Sequence, residues 1–307
     1  MHAASLLPQG LVFLERGWLS SNNILIMDAQ RACLIDSGYW THAAQTVALV
    51  EGALGERSLT QLFNTHLHSD HCGGNAALQE RYPEMMTAVP PGHARHVLDW
   101  DPVALTYTPT GQHCPPFVAH DVIRPGAVWE IAQTQWEVHA APGHDPHSVF
   151  FYCPEYAVLI SADSLWENGF GVVFPELEGM AAFDEVAATL DVIERLKPRV
   201  VLPGHGAAFT DVHGALERAR KRLSDFRADP RKHARHAAKV LMKFKLLELQ
   251  RVNGRDFLQW AISTHYLRMI HQAYGHGSPI EEWLTDLLEQ LQTAGAVRRH
   301  GLDLLNI

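Results

Sequence analysis

Hydrophobic positions fall in short runs through the first two-thirds of the chain and in helical stripes after that. Leu11-Val12-Phe13-Leu14, Ile24-Leu25-Ile26-Met27 and Ala32-Cys33-Leu34-Ile35 are runs of strand length. Asp28-Ala29-Gln30-Arg31 separates the last two and predicts a hairpin turn. Residues 41–53 read as a helix ending near Gly55, and the run from Leu59 to Thr65 reads as a further strand. Between Val128 and Ala140 the apolar residues alternate (Trp129, Ile131, then Trp136, Val138), which predicts a strand pair. Val149-Phe150-Phe151-Tyr152 and Ala157-Val158-Leu159-Ile160 bracket a turn at Cys153-Pro154-Glu155-Tyr156. Phe183, Val186, Leu190 and Ile193 recur at helical spacing, and Arg199-Val200-Val201-Leu202 is a strand again.

Residues 87–127, rich in Pro and Gly, are the least regular stretch. Trp100, Tyr107 and Phe117 within it either pack internally or line a pocket. Beyond about residue 225 the pattern becomes helical. A run over 234–250 carries Val240, Leu241, Phe244 and Leu247 on one stripe, residues 257–273 form a second helix or a pair, and residues 279–294 form another closed by Gly295. Ala296 to Leu305 reads as two short strands around a turn. The expected division is 1–225 and 226–307, the second part resembling a winged helix.

The chemistry concentrates in His66-Leu67-His68-Ser69-Asp70-His71, three imidazoles and a carboxylate just after a strand-like run. Such groups are the usual ligands of zinc and other borderline metals. Residues at i and i+2 on an extended segment point the same way, so His66 and His68 can grip one ion. Asp70 and His71, where the chain must turn, can reach a second. Cys72 follows and reads as a small buried thiol or a ligand. More ligand-type residues recur downstream, which argues against a His-rich surface loop.

The six-residue pattern resembles the H-x-H-x-D-H signature of the metallo-β-lactamase superfamily. Four further segments resemble that family's motifs in the family's order: Leu34-Ile35-Asp36-Ser37-Gly38, Ala141-Pro142-Gly143-His144-Asp145-Pro146-His147-Ser148, Ile160-Ser161-Ala162-Asp163 and Leu202-Pro203-Gly204-His205-Gly206. The resemblance implies an α/β, four-layer αββα sandwich followed by a mostly helical, winged-helix-like domain. It further implies that His66, His68 and His144 hold one metal, that Asp70, His71 and His205 hold another, and that Asp163 bridges them. Two divalent ions per chain are expected, zinc first, with iron and manganese also admitted. Paired ions in such sites lie roughly 3.5–4 Å apart and lower the pKa of bound water to about 7. A bridging hydroxide is then the expected nucleophile, and Asp70 is the candidate catalytic residue, able to accept its proton. Asp36 is either an orienting partner of a ligand or a plain strand-end Asp. His147, where the family often has Gly, is a second-layer donor, a substrate contact or a surface residue.

Composition narrows the class. The chain has 307 residues, is 47% hydrophobic and 19% charged, and contains four widely spaced Cys with no C-x-x-C pair. Neither a disulfide framework nor a zinc ribbon is indicated. No basic and apolar leader is visible from Met1 to Ser5, and no apolar run reaches about 18 residues, so a cytoplasmic location without a membrane span is expected. That expectation counts against antibiotic hydrolysis outside the cytoplasm. The formal net charge is −9, yet eleven Lys and Arg stand against two Asp between Arg218 and Lys245. This stretch is either a solvated helix face or a site for an anionic partner.

Several functions therefore stay open. The first is hydrolysis of a small, anionic ester or thioester of the acyl-glutathione or acyl-CoA kind, with the basic stretch holding the charged handle. Some members of the superfamily, including the β-lactamase-like-protein-2 type, resemble this chain in carrying a winged-helix-like C-terminal module, whereas glyoxalase II ends in helices whose basic residues hold the glutathione carboxylates. A nuclease acting on single-stranded RNA or DNA is an alternative that the winged-helix-like tail favours and the net acidity disfavours. A lactonase would use the same residues. A non-catalytic binding protein fits least, because all seven ligand positions are filled. The expected partners are a small-molecule substrate and a second copy of the chain in a homodimer.

Overall fold

The structure, a computed structural model, describes residues 7–275 and 277–307. The leader-less reading of Met1 to Ser5 lies outside them. Contacts divide the chain into two units, one built from residues up to 105 and 114–224, the other from 106–113 and 225–307.

The first unit contains two sheets. Strands β1 (Leu11–Leu14), β2 (Asn23–Met27), β3 (Arg31–Ile35), β4 (Ser58–Phe63), β5 (Met86–Val89) and β6 (Asp121–Val122) form one sheet in that order. Its first three strands are antiparallel and the rest parallel. Strands β7 (Val128–Ile131), β8 (Thr134–Ala140), β9 (Val149–Cys153), β10 (Val158–Ala162) and β11 (Val200–Pro203) form the other, antiparallel except between β10 and β11.

The two-residue period of a strand explains the layering. On β2 and β3, Ile24, Ile26, Cys33 and Ile35 face the second sheet and join Trp136, Val138, Phe151, Ile160 and Leu202 in one core. Leu25, Ala32 and Leu34, one residue out of phase, face outward and pack with Val50 and Leu54 of the helix Ala43–Leu54. On the far side, the helix Ala182–Leu196 buries Phe183, Val186, Leu190 and Ile193, and Tyr152 Oη of β9 donates to Leu196 O at its end. The result is the expected α/β four-layer sandwich.

The strands and hairpins legible in the sequence occur, with two differences. The run Leu59 to Thr65 does not stay in the ladder to its end: β4 stops at Phe63. Asn64 N donates to Ala88 O, and Thr65 N donates to the Asp36 side chain, so the chain peels away three residues before His66. The stretch 87–127, unread in the sequence, supplies the paired strands β5 and β6 as well as the segment 106–113 that belongs with the second unit. Trp100 and Phe117 pack edge to face at 5.6 Å, and Tyr107 is buried, so these aromatics serve packing.

In the second unit the helix Pro230–Leu249 starts at Asp229, whose side chain accepts from Arg231 N, with proline in the first turn. The sequence stripe over 257–273 is a pair of helices, Gly254–Ser263 and His265–Tyr274, broken at Thr264 with ψ 124°. The helix Ile280–Thr293 follows. Strands β12 (Arg251–Asn253), β13 (Val297–His300) and β14 (Asp303–Asn306) form a small antiparallel sheet in the order β12-β14-β13. A strand between helices paired with a terminal hairpin is a winged-helix-like arrangement.

One buried histidine makes this unit acid-sensitive. Burial, helped by the neighbouring His236, holds His233 down to about 3. The unfolded chain binds a proton there below about pH 6.5, and the folded chain does not until about pH 3. Stability is therefore complete above pH 6.5 and falls as pH drops below it, by about 2 kcal/mol at pH 5. Denaturant midpoints at pH 7 and pH 5 should fall further apart in the native chain than in His233→Gln. An identical pH response in both would remove the assignment.

Candidate metal centre

The parallel strands decide where the chemistry gathers. The chain leaves β3 into Asp36, β4 into the 66–71 segment, β10 into Asp163 and β11 into His205. The carboxyl ends of parallel strands lie on one side of a sheet, where loops can converge. His144 arrives from the loop after β8. Gly143 in that loop has φ +131°, a conformation that L side chains rarely adopt, and a Cβ there would meet Val186 at 2.5 Å.

The structure brings all seven expected ligands together. Three groupings could hold an ion: His66, His68 and His144; His66, His71 and Asp163; and Asp70, His71 and His205. In the first, His144 Nε2 lies 2.8 Å from His68 Nδ1 and 3.3 Å from His66 Nε2. Asp163 belongs to the second grouping and reaches toward the other two. Its Oδ2 is 3.3 Å from His144 Nε2, while its Oδ1 is 3.4 Å from His71 Nε2 and 3.9 Å from His205 Nε2. His205 Nε2 is also 3.1 Å from Asp70 Oδ2.

Hydrogen bonds behind the rings fix which nitrogen faces inward. His144 Nδ1 donates to Val172 O at 2.6 Å, leaving the Nε2 lone pair for the centre. His71 Nδ1 is 2.7 Å from Asp36 Oδ2 and donates to it. The Thr65 hydroxyl donates to the same oxygen at 2.8 Å, which leaves it free only to accept from His66 Nδ1 at 3.1 Å. One buried carboxylate, Asp36, thus orients His71 directly and His66 through Thr65. It is an orienting partner and no plain strand-end residue, and its backbone sits at φ +58° to play that part. Orienting groups of this kind typically contribute 10–100-fold in metal affinity. Asp36→Asn, which keeps the size and loses the charge, should weaken metal binding by about that factor in a competition titration against a chelator. An unchanged affinity would show that Asp36 serves folding alone.

The donor set fits divalent metal. His71 Nε2 is buried with no hydrogen-bond partner among the described residues, although it lies 3.4 Å from Asp163 Oδ1. Burial first, and then the crowding of His71, His68 and His144, keeps His66 well below its ordinary pKa. His68 is brought down to about 4 by burial and then His144. Neutral imidazoles are the form a metal binds. Burial alone would raise Asp163, but the surrounding imidazoles His71, His205 and His144 outweigh it and hold the carboxyl well below its usual range.

Cys72 belongs to none of the groupings; its thiol donates to His68 O and lies 3.8 Å from Cys114 Sγ, as a buried packing residue would. His147 is also outside them, its ring edge-on to His93 at 4.7 Å. The basic stretch is largely engaged. Arg218 pairs with Asp211, Arg220 with Asp191 and Glu194, Arg231 with Asp229 and Arg235 with Asp286, while Lys243 donates to Ala296 O. These pairs match the solvated helix face better than a free anion site.

Four residues near the centre carried no readable role in the sequence. Asp145 lies buried with Oδ2 4.0 Å from His68 Nε2 and 3.9 Å from His93 Nδ1. Trp18 stacks on the His205 ring, Trp166 Nε1 donates to Asp163 Oδ1 at 3.2 Å, and Phe174 meets His68 edge-on at 5.2 Å. Asp145 could have been suspected from its place beside His144. Nothing local in the sequence distinguishes the aromatics from core residues.

Comparison with known proteins agrees with this geometry. The family model described as "Metallo-beta-lactamase superfamily" matches residues 16–205. A hydroxyacylglutathione hydrolase of Brucella anthropi is 26% identical over 69% of this chain and 67% of its own length. An atrochrysone carboxyl ACP thioesterase of Cryptosporiopsis sp. is 22% identical over 76% of this chain and 62% of its own. The matched stretches span from 37% to 67% of the lengths of the curated relatives. The crystal structure of the metallo-beta-lactamase family protein TTHA1429 from Thermus thermophilus superposes with a TM-score of 0.58 and 22% identity, covering 98% of this chain and 100% of that one.

Proposed function

Since the chain belongs to the metallo-beta-lactamase superfamily and is a metal-dependent hydrolase, we propose that it cleaves small thioesters at a centre of two divalent ions. The observation that carries this reading is the placing of Asp163, with one oxygen toward His144 and the other toward His71 and His205. His66, His68 and His144 would hold one ion, and Asp70, His71 and His205 the other, with Asp163 shared. When bound, such a pair supplies a nucleophile at neutral pH and polarises the carbonyl under attack.

The chain's own residues do the rest. Asp36 and Thr65 keep His71 and His66 in the tautomers that present Nε2 inward. Asp70, half-buried with Oδ2 3.1 Å from His205 Nε2, would be the carboxylate that accepts a proton at the second ion. The curated relatives support a thioester substrate, because both kinds of activity that their names carry are thioester hydrolyses.

The test pairs elemental analysis with a substrate panel. Protein purified without a metal-binding tag should carry about two ions per chain and turn over acyl-glutathione or acyl-cysteamine thioesters in preference to lactones and single-stranded RNA. Two ions with turnover of RNA alone would replace the thioesterase reading with a nuclease. No metal taken up from added zinc, iron or manganese would remove the two-ion centre.

A further inference from the structure

We infer that Trp18 and Trp166 form a recognition corner for a planar, apolar acyl group, so that arylacyl substrates are favoured over short hydrophilic ones; this rests on the hydrolytic reading above. The Trp18 indole lies parallel to the His205 imidazole, 4° between planes and 5.4 Å between centroids. Trp166 meets both rings nearly at right angles, 73° to Trp18 and 76° to His205, again at 5.4 Å. Its Nε1 is tied to Asp163 Oδ1, so the shared carboxylate and the corner are one construction. Trp18 is 56% exposed, whereas the large aromatics of the core, such as Trp136 and Phe151, are fully buried.

Single exposed apolar residues need no explanation, but an open indole stacked on a candidate ligand ring, with a second indole perpendicular to it, is a different case. Two perpendicular ring systems offer an incoming flat ring one stacked and one edge contact, the arrangements aromatic groups prefer. The corner offers a hydroxyl little, since the Trp166 N–H is already donated to Asp163. A polar acyl group would lose water there without a new partner. Across the cluster, Phe174 lies edge-on to His68 at 5.2 Å and tilted to His144 at 5.9 Å, so the first grouping has an apolar flank as well.

The experiment compares phenylacetyl and acetyl thioesters of N-acetylcysteamine on the metal-loaded protein. The kcat/KM ratio should favour phenylacetyl by roughly 30-fold, as burial of a ring against aromatic walls implies. Trp18→Ala should reduce that ratio about tenfold, and Trp18→Phe should keep most of it. Metal content is measured alongside, to separate lost recognition from a disturbed His205. A wild-type ratio near one, or equal losses on both substrates in Trp18→Ala, overturns the inference. If neither thioester is turned over, the hydrolytic reading fails while the corner is still tested. Indole fluorescence then reads the binding of S-benzyl and S-methyl N-acetylcysteamine thioethers. Benzyl binding about tenfold tighter, with the difference erased in Trp18→Ala, supports the corner; equal binding overturns it.

Discussion

Asp163→Ala is expected to lower turnover by at least about 10³-fold and to leave the protein with less than its full complement of metal. The residue is 5% exposed and lies among four imidazoles, those of His66, His71, His144 and His205. Of the seven candidate ligands only Asp163 and Asp70 carry negative charge. Two doubly charged ions held at close range would repel each other strongly in a poorly hydrated site, and a carboxylate shared between them would offset this. Without it, the two groupings lose both their common ligand and half their negative charge. Asp163→Asn separates the two effects, because the amide keeps the shape and one oxygen but not the charge. Circular dichroism would show whether each variant folds. His147→Ala is the control, since that ring touches His93 and no candidate ligand grouping includes it. It should retain near-normal metal. Full metal and full rate in Asp163→Ala would sink the bridging role, and metal loss in His147→Ala would sink the ligand assignment.

Removal of metal should abolish turnover completely, and returning two equivalents of a divalent ion should restore it. One grouping presents three imidazoles and the other two add a carboxylate, sets that bind borderline ions. Burial alone would lower His71, but Asp36 and Asp163 outweigh it and raise the ring well above its ordinary pKa, so an ion there would displace its proton. The informative quantity is the shape of the recovery. Activity that rises only with the second equivalent means that both groupings act together. Activity complete after one equivalent would mean that a single ion suffices and that the other grouping is structural. Zinc, ferrous iron and manganese should each be tried, because mixed nitrogen and oxygen ligation admits all three.

The ligands were legible from the chain because their chemistry is local. His66, His68, Asp70 and His71 fall within six residues, and His144 and His205 each follow a Pro-Gly pair that turns the chain after a strand. The apolar runs also sufficed to place β1 to β4 and the later hairpins. What the chain hid is what depends on contacts distant in sequence. The short strand β5 has only four residues, and it pairs with β4 across a helix and a turn. The segment 106–113 carries no pattern that assigns it to the C-terminal unit. Asp36 was recognisable as a strand-end carboxylate, but its bond to His71, 35 positions away, was not. The Trp18 indole gives no sign in the sequence that its neighbour will be His205, which follows β11 far along the chain.

The Asp36 arrangement has a consequence for the history of any ion in this centre. Asp36, Thr65 and Val172 aim three of the imidazoles by bonds that lie wholly within the polypeptide. Because the chain itself supplies that order, binding an ion does not have to organise the ligands, and folding does not have to wait for one. The centre behaves as a finished mould. A cradle ordered in advance would leave the choice among zinc, iron and manganese to whichever ion the surroundings supply.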